Sequence, residues 1–387
     1  MSVENIVEKC LNLYEDLSLE YVRKWKQENN NAKAIGFLPV YVPREIIHAL
    51  GMLPVGIMGG GDRIEIIKGD AYYQSYICHL PRSVIEMGLN GMLNSLDGMI
   101  FPSICDVIRN LSGIWKLLFK DKLTHYLDLP QNFKGEIGGE FFIVDLLKIV
   151  KGLEKLGNVK VTTDKLNNSI ELYNENRRII NELYDLRAKN PWQVKTYELY
   201  LVIRAGNIVD VSEHNKLMKD YLNEVKKLNR KKLDNAKVVL VGSFCEQPPL
   251  GLIKTLENSG CYIVDDDYIL GSRFILGDIP LTDNPIKAIS NAFLNNSTFT
   301  SSKYEGDQPK SELLIKMVKE RKADGVILAA PSFCDPALLD HPIYIEALRK
   351  ANIDFSVFQY AENTGQFQVI REQTGTFSDS IKLWRNV

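Results

Sequence analysis

Three cysteines lie where a parallel-sheet fold would place chemistry. Cys105 and Cys334 each occupy a Pro-Ser-x-Cys-Asp segment after a short apolar run, and Cys78 precedes an amphipathic stretch in YYQSYICHLPRS. Doubly wound α/β folds bind their ligands outside the carboxyl ends of the strands. Soft thiolates at such an edge select iron–sulfur clusters, Zn²⁺ or Cu(I). The spacing therefore predicts a three-thiolate metal site across a cleft, with inert core packing as the alternative.

The other cysteines are weaker candidates. Cys10 falls on an amphipathic stretch and Cys261 in the run CYIV, so both are interpreted as core residues. Cys245, in GSFCEQPP after the run KVVLV, is the rival for a fourth ligand. We expect thiols at helix N-termini to have lowered pKa values, which favours metal ligation. Asp106 and Asp335, which follow two of the cysteines, are interpreted as helix N-caps, and like Cys245 they are candidates for contact with a bound group.

A few polar residues are candidates for substrate binding or catalysis. Arg44, Glu45 and His48 stand in PREIIHALG, at the start of a helical stretch after a strand. The helix dipole explains why a carboxylate such as Glu45 stands in the first turn of a helix. The functional alternative is that Arg44 or His48 faces a CoA or acyl group. His79 could donate a hydrogen bond to a metal-bound sulfur or to a substrate. Alternatively, it could cap a turn. The acidic run 265–267 ends a strand and faces either the cleft or water.

The chain contains an internal repeat. The segment DGMIFPSICD at 97–106 reappears as DGVILAAPSFCD at 324–335, and each copy follows a strand–helix–strand pattern. These patterns predict an α/β protein with two related doubly wound parallel-sheet domains, at 1–162 with an N-terminal helix and at 234–387 with a C-terminal helix. The amphipathic range 163–233 predicts a helical connector, with Thr163 or Asp164 as its N-cap.

The amino-acid composition limits the classes of protein to which this chain can belong. The 387 residues carry 47 Lys and Arg against 49 Asp and Glu, and 45% are apolar. This balance is typical of a globular protein and excludes intrinsic disorder and a dedicated nucleic-acid binder. The N-terminus does not have the pattern of a signal peptide, and no apolar run reaches 18 residues. We therefore expect a cytoplasmic protein with no membrane or nucleic-acid partner.

Several long blocks resemble one known family. They include YVPREIIHALGMLPVGIMGGGD, DGMIFPSICDVIRNLSGIWK, GSFCEQPP, CYIVDDDY and APSFCDPALL. Together they are similar to the benzoyl-CoA reductase/2-hydroxyacyl-CoA dehydratase family, and within it to an iron–sulfur subunit of the ATP-dependent reductases. The resemblance covers nearly the whole chain and is weakest in the helical connector and between residues 282 and 312.

The resemblance implies flavodoxin-like halves and one [4Fe–4S] cluster between them. The three ligand positions of the family match Cys78, Cys105 and Cys334, and the fourth iron is not held by a protein cysteine. It further implies a two-electron reduction of the ring of benzoyl-CoA to cyclohexa-1,5-diene-1-carbonyl-CoA, driven by reduced ferredoxin and ATP hydrolysis. The implied partners are a sister iron–sulfur subunit and ATPase subunits, which fits the absence of a G-x-x-x-x-G-K-S/T motif from this chain.

Two other functions remain open at this point. A 2-hydroxyacyl-CoA dehydratase subunit would use the same cluster scaffold for a radical elimination of water. A metal-free binding module, in which two α/β halves close on a small ligand and the cysteines are merely buried, belongs to a different class.

Overall fold

The computed structural model describes residues 1–38, 40–242, 248–268, 270–300, 303, 310–361 and 367–384. Its strands are β1 Ala34–Phe37, β2 Leu53–Gly56, β3 Gly98–Pro102, β4 Leu123–Leu127, β5 Ala236–Val241, β6 Cys261–Asp266, β7 Gly325–Pro331 and β8 Asp354–Tyr360. The helices are α1 Val3–Glu15, α2 Glu20–Glu28, α3 Arg44–Ala49, α4 His79–Leu89, α5 Asp106–Leu118, α6 Glu140–Gly157, α7 Thr163–Lys189, α8 Thr196–Ala205, α9 Val211–Val225, α10 Leu250–Asn258, α11 Leu270–Arg273, α12 Pro285–Asn295, α13 Lys310–Arg321, α14 Asp335–Lys350 and α15 Gln368–Trp384. Short 3₁₀ turns at Gly61–Arg63 and Gly69–Ala71 and a π-helical turn at Gly135–Gly139 complete the elements.

The strands form two four-stranded parallel sheets of the same topology. Their orders are β2-β1-β3-β4 and β6-β5-β7-β8. Every residue of the central strands β1, β3 and β7 is buried, as expected for parallel strands covered by helices on both faces. The predicted pair of doubly wound, flavodoxin-like α/β halves is confirmed.

The internal repeat has a structural counterpart at the start of β3 and β7. Asp97 accepts a hydrogen bond from the Ala34 amide at 2.9 Å, and Asp324 accepts one from the Lys237 amide at 2.6 Å. In both halves an aspartate just before one central strand thus binds the amino end of the neighbouring central strand. Asp97 also pairs with Lys26 at 2.6 Å. These carboxylates help to fix the register of the strands that lead to the cysteine loops.

Helices flank and connect the two sheets. As expected, α1, α2 and α15 lie at the two ends of the chain, and α7 ends at Lys189, just before the Asn-Pro pair. The N-cap of α7 is Thr162, whose hydroxyl accepts from the Lys165 amide. The predicted N-cap, Thr163 or Asp164, was therefore wrong by one or two residues, because Thr162 is the last residue with extended backbone. The helices α7 to α9 lie inside 163–233, and the division into domains there stays a prediction.

An aromatic cluster joins the two halves directly. Tyr41 stacks on Phe274 with ring centroids 4.9 Å apart, and Phe142 of α6 lies 4.8 Å from Phe293 of α12. All four side chains are buried and belong to one continuous hydrophobic core that reaches from the first sheet to the second. Packing of this kind holds the two halves in one arrangement.

Among the described helices, none combines the length and apolarity that a membrane-spanning helix requires.

Candidate functional site

The three candidate cysteines occupy equivalent positions, each as the N-cap of a helix. Cys105 joins β3 to α5, Cys334 joins β7 to α14, and Cys78 precedes α4. The strands β3 and β7 are both fully buried, and each ends at a proline. After the proline the chain turns into an amphipathic helix, which places the cysteine between strand and helix. The amino ends of three helices, which carry partial positive charge, therefore lie at the cysteine positions.

The three cysteines line one cavity of about 580 Å³. Its other lining residues are mainly apolar: Ile77, Leu80, Ile104, Val107, Ile108, Phe333, Pro336, Leu339 and Ile343. The polar ones are Asp106, Lys310, Asp335 and Asp340. The cavity thus has soft sulfur donors from both halves of the chain and largely apolar walls. We call it the cysteine pocket.

The electrostatic setting of Cys105 differs from the sequence-based expectation. Burial raises the pKa of the Cys105 thiol, and this effect outweighs the hydrogen bonds from the Ile108 and Val107 amides, which lower it. The nearby Cys334 thiolate raises the pKa further. The expectation of a lowered pKa was therefore wrong for Cys105, because desolvation exceeds the effect of the helix end. A bound metal ion reverses this balance, because its charge deprotonates a coordinating thiol.

The two cysteines assigned to the core are confirmed there. Cys10 of α1 and Cys261 of β6 are buried, and burial raises the pKa of each thiol to about 12. Such thiols stay protonated and unreactive. They serve as natural controls for the pocket cysteines.

The spacing of the pocket donors bears on which metal group they fit. Within the described residues, no three Cys, His, Asp or Glu side chains come close enough to surround one metal ion. A single Zn²⁺ needs all its sulfur ligands at about 2.3 Å from one point. In an iron–sulfur cluster each thiolate binds a different iron atom, so the donors lie further apart. The cavity of about 580 Å³ that the three cysteines line has room for the larger group.

Phe333 precedes Cys334 in a strained conformation. Its φ is +64°, in the left-handed region, where a bulky aromatic residue is a genuine outlier. The ring lines the cysteine pocket and is 53% exposed. The turn is fixed by the Cys334 amide, which donates to the Pro331 carbonyl at 3.1 Å. Strain of this kind persists only where the surroundings impose it, and it clusters at functional sites.

Sequence reasoning missed three residues at or beside the pocket. Lys310, which is 4% exposed, pairs with Asp340, and both side chains also line a second cavity of about 150 Å³. Tyr73 lies close enough to Cys78 and Cys105 for their charges to raise the pKa of its hydroxyl. Lys310 and Asp340 come from helices that meet only in the folded chain, so no local signal marked them. The short distance in sequence between Tyr73 and Cys78 was the one available signal.

The candidates in α3 do not line the cysteine pocket. Glu45 pairs with Arg177 of α7 at 2.7 Å, and Arg44 lies over the Tyr173 ring at 4.9 Å. His48 Nδ1 is 2.9 Å from the Ser169 hydroxyl. These contacts attach α3 to α7. The helix dipole was therefore an incomplete explanation for Glu45, which also forms an ion pair with Arg177. A substrate role for Arg44 or His48 stays a prediction.

His79 is the first residue of α4 and is 6% exposed. Burial, together with the positive charge of Arg82, lowers its pKa to about 4. The ring is therefore neutral at neutral pH. A role toward a metal-bound sulfur or substrate stays a prediction.

Two other groups of acidic residues lie differently from expectation. Asp106 and Asp335 are the first residues inside their helices, whereas the N-caps are the cysteines before them, so the N-cap interpretation was wrong by one residue. In the run 265–267, the buried Asp265 pairs with Arg273 and Arg321, and the buried Asp266 pairs with Arg187. Asp266 and Asp267 also line the cavity of about 150 Å³. Cys245 lies outside the described residues, and a fourth-ligand role for it stays a prediction.

Several known proteins are similar to this chain along almost its whole length. Residues 39–381 match the family model of the 2-hydroxyglutaryl-CoA dehydratase D-component. The chain is 51% identical to one of the subunits of benzoyl-CoA reductase from Thauera aromatica, over 99% of this chain and 100% of that protein. It is 30% identical to the beta subunit of (R)-2-hydroxyglutaryl-CoA dehydratase of Acidaminococcus fermentans, over 92% and 94%. It is 28% identical to the beta subunit of (R)-phenyllactyl-CoA dehydratase of Clostridium sporogenes, over 94% and 95%.

Proposed function

We propose, on the premise that the chain belongs to the family of the 2-hydroxyglutaryl-CoA dehydratase D-component, that it is an iron–sulfur subunit of an ATP-dependent benzoyl-CoA reductase. Cys78, Cys105 and Cys334 would hold its [4Fe–4S] cluster. The identity of 51% to a benzoyl-CoA reductase subunit, against 28% and 30% to dehydratase subunits, supports the reductase assignment.

One observation carries the proposal: three helix N-cap cysteines from two halves line a single apolar-walled pocket. The cluster, when bound, supplies electrons at low potential for reduction of the aromatic ring. The protein supplies the thiolates, the helix ends that offset their negative charge, and the apolar walls. The complex as a whole adds two electrons and two protons to benzoyl-CoA, with reduced ferredoxin as the electron source.

The proposed partners are a sister iron–sulfur subunit and separate ATPase subunits. Three exposed apolar side chains at the pocket, Phe333, Leu339 and Ile343, support this part of the proposal. Apolar surface of that kind is typical of an interaction site. We also propose a cytoplasmic location, because free cysteines are typical of a reducing compartment.

The cluster assignment is tested by iron and sulfide analysis of anaerobically purified protein. Cys78→Ala, Cys105→Ala and Cys334→Ala should each lose most of the iron, because each removes one donor of a shared group. Cys10→Ala and Cys261→Ala are the matched controls and should keep it. Full iron retention in Cys334→Ala would contradict the ligand set, and an iron-free, colourless parent protein would favour the metal-free binding module.

The reaction is tested by adding benzoyl-CoA, a low-potential electron donor and ATP to the assembled complex. Ring reduction should require the partner subunits, and the isolated chain should neither reduce benzoyl-CoA nor hydrolyse ATP. Robust turnover by the isolated chain would refute the partner requirement.

A dehydratase subunit is the second candidate. The family model and the beta subunits with 28% and 30% identity favour it. Giving the same complex a 2-hydroxyacyl-CoA separates the two functions, because only a dehydratase would release water from it. Dehydration without ring reduction would replace the reductase proposal.

A further inference from the structure

Helix α6 carries apolar residues on two opposite faces. Its inner face is buried in the core through Phe142, Leu146, Ile149, Val150 and Leu153. Its outer face presents Phe141, Val144 and Leu147, each about half exposed. Ile137, in the π-helical turn before α6, is exposed to the same degree. A surface helix normally has polar residues opposite the core, whereas a helix that is apolar all round is buried. We therefore expect another protein surface to cover the outer face.

Contacts behind the outer face fix its position. Phe142 packs on Phe293 of the second half, with ring centroids 4.8 Å apart. The Gly139 carbonyl, at the end of the π-helical turn, accepts a hydrogen bond from the Ser290 hydroxyl at 3.1 Å. A Cβ atom at Gly138 would clash with a backbone carbonyl oxygen, so the turn is tightly closed. The exposed apolar side chains thus belong to a well-packed part of the fold, where such a patch marks an interaction site.

The residues of the outer face are arranged symmetrically about Val144. Phe141 and Leu147 lie three residues before and after it, and residues three and four apart share one face of a helix. Glu140 and Lys148 lie four residues before and after it. Lys148 also forms an ion pair within α6, but its side chain stays 63% exposed. A second helix of this pattern, laid antiparallel across Val144, would set each carboxylate opposite an ammonium group. The face therefore fits a helix like α6 itself, in a subunit of the same fold.

The outer face begins at the edge of the fold that carries the cysteine loops. Helix α6 follows β4, and the carboxyl ends of parallel strands lie at one edge of their sheet. The Leu129 amide, between β4 and α6, donates to the Ser103 hydroxyl at 2.8 Å, and Ser103 stands two residues before Cys105. A subunit that exchanges electrons with the cysteine pocket has to lie against this same edge. The placement favours the sister iron–sulfur subunit over a second copy of this chain.

We propose that the outer face of α6 is the docking surface for the sister iron–sulfur subunit, which presents an antiparallel helix of matching apolar and charged pattern. The inference rests on the proposed function, because that function supplies the partner. Apolar contacts around Val144 hold the two subunits together, and the flanking Glu140 and Lys148 set the antiparallel direction.

The test compares Val144→Glu with Val369→Glu, since Val369 of α15 is also exposed but lies in the second half. Each purified variant is titrated with the purified sister subunit, and binding is measured by analytical ultracentrifugation. Val144→Glu should weaken binding by about tenfold or more, because the new carboxylate would be buried in the interface without a partner. Val369→Glu should bind as the parent does. Both variants should keep the iron content and melting temperature of the parent, because each replaces an exposed side chain.

The outcomes separate this inference from the proposed function. Equal affinity of Val144→Glu and the parent for the sister subunit would overturn the inference alone. A dimer of the isolated chain that Val144→Glu dissociates, at unchanged affinity for the sister subunit, would assign the face to a second copy and overturn the inference as well. A parent chain that binds no iron would overturn the proposed function, whereas loss of the sister subunit from Val144→Glu would still support the docking surface.

Discussion

Phe333 combines two properties that oppose ordinary folding preferences. It is a large apolar side chain more than half exposed, and its backbone takes a left-handed conformation that favours glycine. Its place directly before Cys334 gives both properties one explanation. The turn places Cys334 at the pocket, and the Phe333 ring forms part of the pocket's apolar wall.

Replacing Phe333 with glycine separates these two roles. Phe333→Gly should change the free energy of unfolding by less than about 1 kcal/mol, because relief of backbone strain offsets the added freedom of the unfolded chain. In protein loaded with the proposed cluster, it should speed the removal of iron by a chelator several-fold, because part of the pocket's apolar wall is lost. Stopped-flow chelation and urea unfolding measure the two effects.

The matched control is Lys322→Gly. Lys322 also has a positive φ, of +50°, and lies away from the lining of the pocket. It should show a similar change in stability and no change in the rate of iron removal. Equal chelation rates in both variants would show that Phe333 does not shield the site.

Individual residues also mark what sequence reasoning could predict. Cys105 and Cys334 could be found because each follows a strand in a repeated segment, and strand ends are local features of the chain. The left-handed φ of Phe333 carries no such signal, since nothing in its residue type favours it. Asp265 and Asp266 at the end of β6 were expected to face the cleft or water, but both are buried and pair with arginines from α7, α11 and α13.

At the level of elements, β3 depends on the charge network at its start. Asp97 accepts from Lys26, Lys33 and the Ala34 amide. Burial alone would raise the pKa of Asp97. The net pKa nevertheless lies below its ordinary value, because Asp97 accepts hydrogen bonds from Lys26, the Ala34 amide and Lys33 and lies beside the positive charge of Lys26. The ionised carboxylate therefore stabilises the fold above the pKa of unfolded Asp, and this contribution is lost as the pH falls through the lower folded pKa.

We predict that Asp97→Asn lowers the free energy of unfolding by about 1.5 to 3 kcal/mol at pH 7, the usual contribution of hydrogen bonds to a charged group. The difference from the parent should shrink as the pH falls below about 4, where unfolded aspartates become protonated. Urea unfolding over this pH range measures it. A stability difference that stays constant down to about pH 3, below the ordinary pKa of Asp, would mean that the charge of Asp97 is unimportant.

The helices were predictable because their apolar spacing is local. The helix α7 begins at Thr163, within two residues of the predicted start, and the flanking helices lie at both ends of the described residues. The exact N-cap residues were harder to predict. The N-caps are Thr162, Cys105 and Cys334, but the residue after each of them could also cap a helix. One residue of extended backbone decides which side chain becomes the cap.

For the molecule as a whole, the aromatic cluster of Tyr41, Phe142, Phe274 and Phe293 couples the two halves. Phe293 is central, since it contacts each of the other three rings. The sequence predicted two related halves but not these contacts, because aromatic residues far apart in the chain carry no pairing signal.

Phe293→Ala should lower the free energy of unfolding by about 3 to 5 kcal/mol and split the thermal transition in two, because the halves lose their shared packing. The control is Phe101→Ala, which removes a buried ring within the first half. It should destabilise the chain and keep a single transition. Differential scanning calorimetry distinguishes the two, and a single transition for Phe293→Ala would mean that other contacts couple the halves.

The division of the pocket cysteines between two distant parts of the chain has a consequence for biogenesis. A ribosome completes Cys78 and Cys105 long before Cys334, so a growing polypeptide carries only two of the three thiols. The third arrives with β7, which must first join β5 in the second sheet. Under the proposed ligand set, the site for the cluster is therefore complete only after β7 has joined β5, late in the folding of the chain.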